Sequence, residues 1–474
     1  MKLLLTIALF IVCFNWSGEA VGQEENLRYE LGKRVRRYEL QWESSSPESR
    51  ALSTGAMERA VQEFFRLDLT GAAKSIDDAW FAMLPAPSEL KRYAASLSMA
   101  SAETLVDAKS PTLTLTLKEL YPQPPHAWAQ GAYLEIHVRS DSTIPKTLQT
   151  KKVPIQSLPM EIEWKLEGVE PGDFQVSATI HEKEMIGSIH EIQISAVKDK
   201  LDRIQAIESW VEVNKRAART STLCTARMMG RQLLLANRSK PFECDLPFSS
   251  WFQEFESMAF APIASQSRLD SQSWRPNGRW QVLTDGKVEQ VLRLQMPIKP
   301  AEKTTVIFAL HGAGGSENMF FESYGAGRLI ELARSRNWLV VSPRQGLTGL
   351  NIPVQAMIPM LEKELSLSFD KVFLVGHSMG AAQAIEQVSR SQERITAVAA
   401  IGGGGNARKT EALAKIPFYV SAGERDFGRG GAKRLSESLK SFDCEVVYSE
   451  YKDVEHLTIV QACLDELFLF LDGK

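Results

Sequence analysis

The sequence predicts a multidomain chain: a C-terminal α/β domain, with a mostly parallel sheet and helices on both faces, preceded by a helical region and a β-sandwich-like domain. Three observations predict it. From Thr304 onward apolar strand-like runs alternate with helical stretches, the pattern of a helix-covered parallel sheet. Between about Pro111 and Ala196 apolar residues recur at every second position, as in half-buried strands. Before that they recur at i, i+3, i+4 and i+7, as on one face of a helix.

Composition sets the frame for these elements. The chain has 474 residues, 44% hydrophobic and 24% charged, which suits a folded globular protein of several domains. Its 55 basic and 58 acidic residues give a formal charge of -3, which argues against a surface devoted to polyanions. The acid-free run Lys215, Arg216, Arg219, Arg227, Arg231, Arg238 and Lys240 reads as a solvated or packed face, and no nucleic-acid partner is expected.

The elements follow in order. Residues 1–22 carry Lys2, an apolar stretch from Leu3 to Phe14 and small residues at Ala20 and Gly22, the layout of a secretory signal peptide cleaved after Gly22. The apolar run is shorter than the roughly 20 residues of a spanning helix, and no other stretch reaches that length. The expected destination is therefore secreted or periplasmic; left uncleaved, the same segment would anchor the N-terminus. Residues 23–110 form the helical region, with one stripe through Met57, Ala60, Val61, Phe64 and Phe65. A second stripe from Leu69 to Met83 follows an interruption at Gly71, and another helix starts through Leu90, Tyr93, Ala94 and Leu97.

Residues 111–197 form the antiparallel sandwich, with alternating Leu113, Leu115 and Leu117, then Leu134, Ile136 and Val138, then Ile162, Trp164 and Leu166. Residues 198–272 are a helical and then irregular linker, rich in Pro, Ser and Trp after position 241. Residues 273–474 are the α/β domain. In an oxidising compartment Cys224, Cys244, Cys444 and Cys463 would form disulfides, the simplest pairing being between sequence neighbours, or would stay as buried thiols. The histidines never take metal-ligand spacing with cysteine or acid, which argues against a structural zinc.

Chemistry concentrates in the last domain. Val372-Phe373-Leu374-Val375 is an apolar strand, and Gly376-His377-Ser378-Met379-Gly380 follows it directly, ahead of a helical stretch. A serine hydroxyl is a poor nucleophile until a base, an acid to orient that base and donors for an oxyanion surround it. The sequence offers each at the end of a strand. His456 is the base expected before the closing helix, and Asp426 its orienter, with Glu424 and Asp453 as weaker claimants. The glycine-rich turn after Phe308-Ala309-Leu310 supplies backbone N–H groups, which with that of Met379 would form the oxyanion hole. Gly402 to Thr410 lacks the glycine a phosphate loop needs before its lysine and reads as a strand-to-helix loop.

With LHGAGG, GHSMG, SAGERD and VEH in this order, residues 275–474 resemble the α/β-hydrolase superfamily. The resemblance is nearest to secreted bacterial esterases of the dienelactone-hydrolase, polyhydroxybutyrate-depolymerase and prolyl-oligopeptidase-type branches. It implies a Ser378, Asp426, His456 triad, with backbone around Gly312 and Ala313 joining Met379 in the oxyanion hole, acting on a small-molecule or polymer ester without metal or organic cofactor. His311 and His377 are commonly structural in such relatives. Many relatives have glycine before the triad histidine; here it is Glu455, a second carboxylate that would raise the base's pKa. Two other readings stand beside the esterase. One is a peptidase of prolyl-oligopeptidase type, against which no repeated propeller blade appears. The other is a binding or scaffold protein with a relic hydrolase domain, against which the catalytic set is complete. Phe320, Phe321 and Tyr324 are expected as pocket lining or as core, and Arg344, Arg425 and Arg429 as contacts for an anionic substrate or as surface charge.

Overall fold

In the computed structural model, which describes residues 18–124, 126–141, 146–215, 220–239, 242–260, 277–346 and 349–474, helices come first, then a pair of small sheets, then one large sheet. The expected leader lies outside the described residues up to position 17, and its remainder belongs to helix α1 (Gly18–Ser44). There follow α2 (Pro47–Phe65), α3 (Leu69–Ala82) and α4 (Glu89–Ala95). Side-chain oxygens of Ser46, Asp68 and Ser88 accept the N–H groups of Ser49, Gly71 and Lys91, satisfying donors that each helix start leaves open. The break between α2 and α3 therefore falls at residues 66–68 and not at Gly71, which lies in the first turn of α3 against the Asp68 carboxylate. Likewise Leu97 does not continue α4 but opens a strand.

That strand, β1 (Leu97–Ser101), and β2 (Leu105–Asp107) precede the expected start of the sandwich. Then come β3 (Thr112–Glu119), β4 (Tyr133–Ser140), β5 (Thr147–Pro154), β6 (Met160–Lys165), β7 (Gly172–Glu182) and β8 (Met185–Val197). They pair as β1-β3-β6 and β2-β8-β7-β4-β5. The period-two residues Leu113, Leu115, Leu117, Leu134, Ile136 and Val138 all enter one core between the two sheets. β2 runs parallel to β8, so the sandwich is not wholly antiparallel.

Helices α5 (Lys200–Asn214), α6 (Ser221–Asn237) and α7 (Phe248–Ala259) pack together. Part of the stretch expected to be irregular is thus helix: Phe248, Trp251, Phe252 and Phe255 of α7 are spaced for one face and buried. Residues 261–276, and Arg216, Arg219 and Lys240 of the basic run, lie outside the described residues.

The large sheet contains β9 (Arg279–Thr284), β10 (Glu289–Gln295), β11 (Lys303–Leu310), β12 (Leu339–Pro343), β13 (Ser368–His377), β14 (Ala397–Ile401), β15 (Phe418–Gly423) and β16 (Val446–Tyr451). Its order is β9-β10-β12-β11-β13-β14-β15-β16. β10 is antiparallel to its neighbours and the pairs from β12 to β16 are parallel. Successive residues face opposite sides, and both sides are buried. One face (Phe308, Leu374, Val398, Val420) carries α10 (Val354–Leu365), α11 (Met379–Arg390) and α12 (Arg429–Ser441). The other face (Ile307, Phe373, Ala399, Tyr419) carries α8 (Met319–Glu322), α9 (Arg328–Ser335) and α13 (Ile459–Asp472). This second core also takes in Leu31, Val35, Tyr38, Trp42, Met57, Ala60 and Ile76, so α1, α2 and α3 belong to it.

The sequence-neighbour disulfides are not formed. Cys444 lies in the core on one face of the sheet and Cys463 in the core on the other, so the sheet itself separates them. Cys224 is buried in α6 beside Arg227 and Glu289. No helix among the described residues is long and apolar enough to cross a membrane.

Candidate active site

Strand β13 ends at His377, and helix α11 starts at Met379, leaving Ser378 alone to make the turn. Its φ of 56° and ψ of -114° are rarely adopted by a residue with a side chain. The turn closes this tightly because a Cβ at Gly376 would strike the backbone of Gly380, and one at Gly380 would strike that of Leu310. Gly403, in the loop after β14, packs its α-carbon against the Ser378 backbone, and the Ser378 N–H donates to the Ile401 carbonyl at 2.8 Å. The Gly402–Thr410 loop thus braces the serine.

Three of the expected residues come together. Ser378 Oγ lies 2.9 Å from His456 Nε2, and His456 Nδ1 lies 2.7 Å from Asp426 Oδ1. A carboxylate only accepts, so Nδ1 carries the proton and Nε2 offers its lone pair to the serine hydroxyl. Asp426 Oδ1 also accepts the Gly428 N–H at 2.6 Å, which holds the carboxylate toward the ring. The weaker claimants are elsewhere: Glu424 accepts the Asp453 N–H at 3.2 Å on the exposed side of the loop. His456 is sandwiched between His377, ring centroids 4.8 Å apart, and Phe427, 3.9 Å apart.

Glu455 caps the helix that follows His456. Its carboxylate turns back to accept the N–H groups of Leu457 and Thr458, each at 2.7 Å, and the Thr458 hydroxyl, capping the start of α13. Burial raises its pKa, against those hydrogen bonds.

The expected oxyanion donors divide. The Gly312 N–H is taken by the Tyr324 hydroxyl at 3.1 Å, so it is not available. Met379 is the first residue of α11, where an N–H has no intrahelical acceptor, and no acceptor among the described residues takes the Ala313 N–H. Tyr324 in turn donates to His377 Nδ1 at 2.9 Å, and His377 Nε2 donates to the His456 carbonyl at 2.8 Å. This chain ties the oxyanion turn, the elbow and the base into one network. It also requires a neutral His377, whose pKa burial, with the His456 charge adding to it, pushes well below the ordinary histidine value. His311 is likewise built in, bonded to the Gly312 carbonyl at 2.8 Å and accepting the Gln345 N–H at 2.9 Å.

The arginines expected near a substrate are all paired outside the site: Arg344 with Glu317, Arg425 with Glu58 and Arg429 with Glu450. Phe320 and Phe321 are core, and Tyr324 is the brace just described. What the sequence did not disclose is the wall of the pocket over Ser378. It comes from α1, α2 and α3, with Leu31, Val35, Met57, Ala60, Ala72 and Ile76 facing the serine and the oxyanion turn. No group of acidic, histidine or cysteine side chains suited to a metal occurs among the described residues.

No protein-family model matches the chain, and no curated protein is similar to it. Among solved structures it is similar to a feruloyl esterase module from Clostridium thermocellum, at 14% identity over 44% of this chain and 91% of that one, TM-score 0.35. It is similar to S-formylglutathione hydrolase from Staphylococcus aureus, at 12% identity over 41% of this chain and 98% of that one, TM-score 0.34. A thermostable esterase is 14% identical over 80% of this chain and 99% of its own, TM-score 0.37.

Proposed function

We propose that the chain is a serine hydrolase that cleaves carboxylic esters outside the cytoplasm through Ser378, His456 and Asp426. The observation that carries this reading is the continuous hydrogen-bonded line from Asp426 Oδ1 through the His456 ring to Ser378 Oγ, with that oxygen on a strained elbow at a pocket mouth. Ser378 Oγ attacks the ester carbonyl as its proton passes to His456 Nε2. The Ala313 and Met379 N–H groups receive the negative oxygen. Collapse breaks the ester bond, and His456 returns the proton to the departing alcohol. A water then loses its proton to His456 and attacks the acyl-serine; the bond between the acyl carbon and Ser378 Oγ breaks, His456 returns its proton to that oxygen, and the acid leaves.

The test is labelling by a fluorophosphonate probe, followed by turnover of aryl esters beside blocked peptides. Folded wild type should label, and Ser378→Ala should lose on the order of 10³-fold or more in kcat. Turnover retained by pure Ser378→Ala would overturn the assignment, and cleavage of peptides in preference to esters would move it to a peptidase.

A further inference from the structure

The helices that precede the sandwich do more than cover the hydrolase sheet. The pocket of about 150 Å³ opening at Ser378 and His456 has its inner wall from Leu31 and Val35 of α1, Met57 and Ala60 of α2, and Ala72 and Ile76 of α3. All six are buried, so this is the closed end; the open side is marked by Phe427, 65% exposed against the outer face of His456.

We infer that the N-terminal helices build the acyl-binding pocket of this enzyme, and that it takes an uncharged, compact acyl group, aryl or short alkyl; the inference rests on the ester-hydrolase reading. The first argument is polarity. The charged groups at the margin are committed to the protein: Arg28 donates to the Gly314 carbonyl at 3.1 Å, Glu243 accepts from Asn318 at 2.9 Å and from Ser316, and Glu322 pairs with Arg293 at 2.8 Å. Two of the three are carboxylates, which repel a substrate carboxylate, and an unpaired charge against the apolar wall is costly.

The second argument is size. A dry apolar cavity of about this volume holds one benzene-sized group. The room exists because Ala60 and Ala72 stand where α2 and α3 face the serine, and larger side chains there would occupy it. The third argument is the order of events. The alcohol must leave first, taking its proton from His456 Nε2, so it belongs on the open side. The acyl group stays on Ser378 Oγ until water arrives and belongs in the closed end, where it excludes bulk water.

Two variants of the full chain test this against p-nitrophenyl acetate and p-nitrophenyl hexanoate. Ala72→Leu fills the closed end, and Val61→Phe, at a half-buried position on the same wall, narrows the pocket without loading the core. Wild type should favour hexanoate over acetate in kcat/KM by about tenfold or more, since each buried methylene contributes roughly fourfold. Both variants should lower that ratio at least about tenfold. Should Ala72→Leu fail to fold, Val61→Phe decides. An unchanged ratio in the folded variants, or a wild type that prefers acetate or an anionic succinyl ester, would overturn the acyl pocket while leaving the hydrolase reading intact. Absence of both ester turnover and fluorophosphonate labelling in folded wild type would overturn the hydrolase reading itself, and this inference with it.

Discussion

Two regions precede the large sheet, and they are joined to it by different means. The helices α1 to α3 share a core with one face of the sheet: Tyr38, Trp42 and Met57 lie in the same apolar cluster as Tyr324, Leu464 and Phe468. The sandwich has a core of its own, filled by its strands and capped by α4; at one edge Leu105 and Val197 pack with α5 to α7, and polar contacts such as Asp173 with Ser249 and Gln175 with Asp245 add to that junction. A shared core makes a region part of the site; a separate core makes it a neighbour. Polar contacts carry the same message at smaller scale. Thr54 donates to the Asp453 carbonyl at 2.6 Å, and Gln461 to the Glu39 carbonyl at 3.1 Å, so the helices hold the loop bearing His456.

The sharpest way to break the contrast is at Arg34, where both regions meet. Its fully buried guanidinium pairs with Glu30 and Asp77, and also donates to the carbonyls of Ala95 and Leu97 at the entry to the sandwich. Arg34→Met leaves Asp77 with Arg37 alone and Glu30 with Lys33 alone, removes the donor to two carbonyls, and should cost about 3–5 kcal/mol in urea denaturation. A loss within experimental error of zero would mean that water reaches the cluster.

Next in size is a matched pair of core truncations. Met57→Ala and Ile136→Ala each remove a fully buried side chain and should each cost about 2–5 kcal/mol. Their kinetics should part: Met57→Ala changes the hexanoate-to-acetate ratio, whereas Ile136→Ala leaves the kcat/KM of the folded enzyme within about twofold. Equal kinetic effects from the two would erase the distinction between the regions.

The smallest effect is a pH slope. Glu39 of α1 is buried, and burial together with the nearby Glu455 pushes its pKa well above the ordinary carboxylate range. A folded pKa above the unfolded one means the proton is held more tightly in the folded protein. That stabilisation is complete below the unfolded carboxylate pKa and is lost as pH rises through the folded value. Glu39→Gln should therefore flatten the fall of the unfolding free energy with rising pH, by up to about 1.4 kcal/mol per pH unit, with little difference at acid pH. Parallel profiles for the two proteins would refute it.

Much of the site was legible because its chemistry fixes the order of its parts. A serine between glycines after an apolar strand, an acid after a later strand and a histidine before the last helix could be found without coordinates. What stayed hidden depended on partners distant in sequence. The stripe Met57, Ala60, Val61 declares that one face of α2 is buried but not against what, and here the answer is the pocket over Ser378. Gly312 looked equal to Ala313 until Tyr324 claimed its N–H, and Glu455 looked like a neighbour of the base until its carboxylate turned to α13. The face of α7 was there to be read in Phe248, Trp251, Phe252 and Phe255, behind a composition rich in loop residues.

The hydrogen bond from Thr54 to Asp453 joins positions 399 apart, and the core around it closes with α13. Such pairings are slow to form, because the intervening chain must be ordered before the contact rewards it. A polypeptide emerging from the ribosome thus carries its first three helices with their apolar stripes unsatisfied until nearly the whole chain exists. Assembly of the pocket and arrival of His456 become one event, so a half-made molecule has neither the apolar wall nor the hydrogen-bonded line to Ser378.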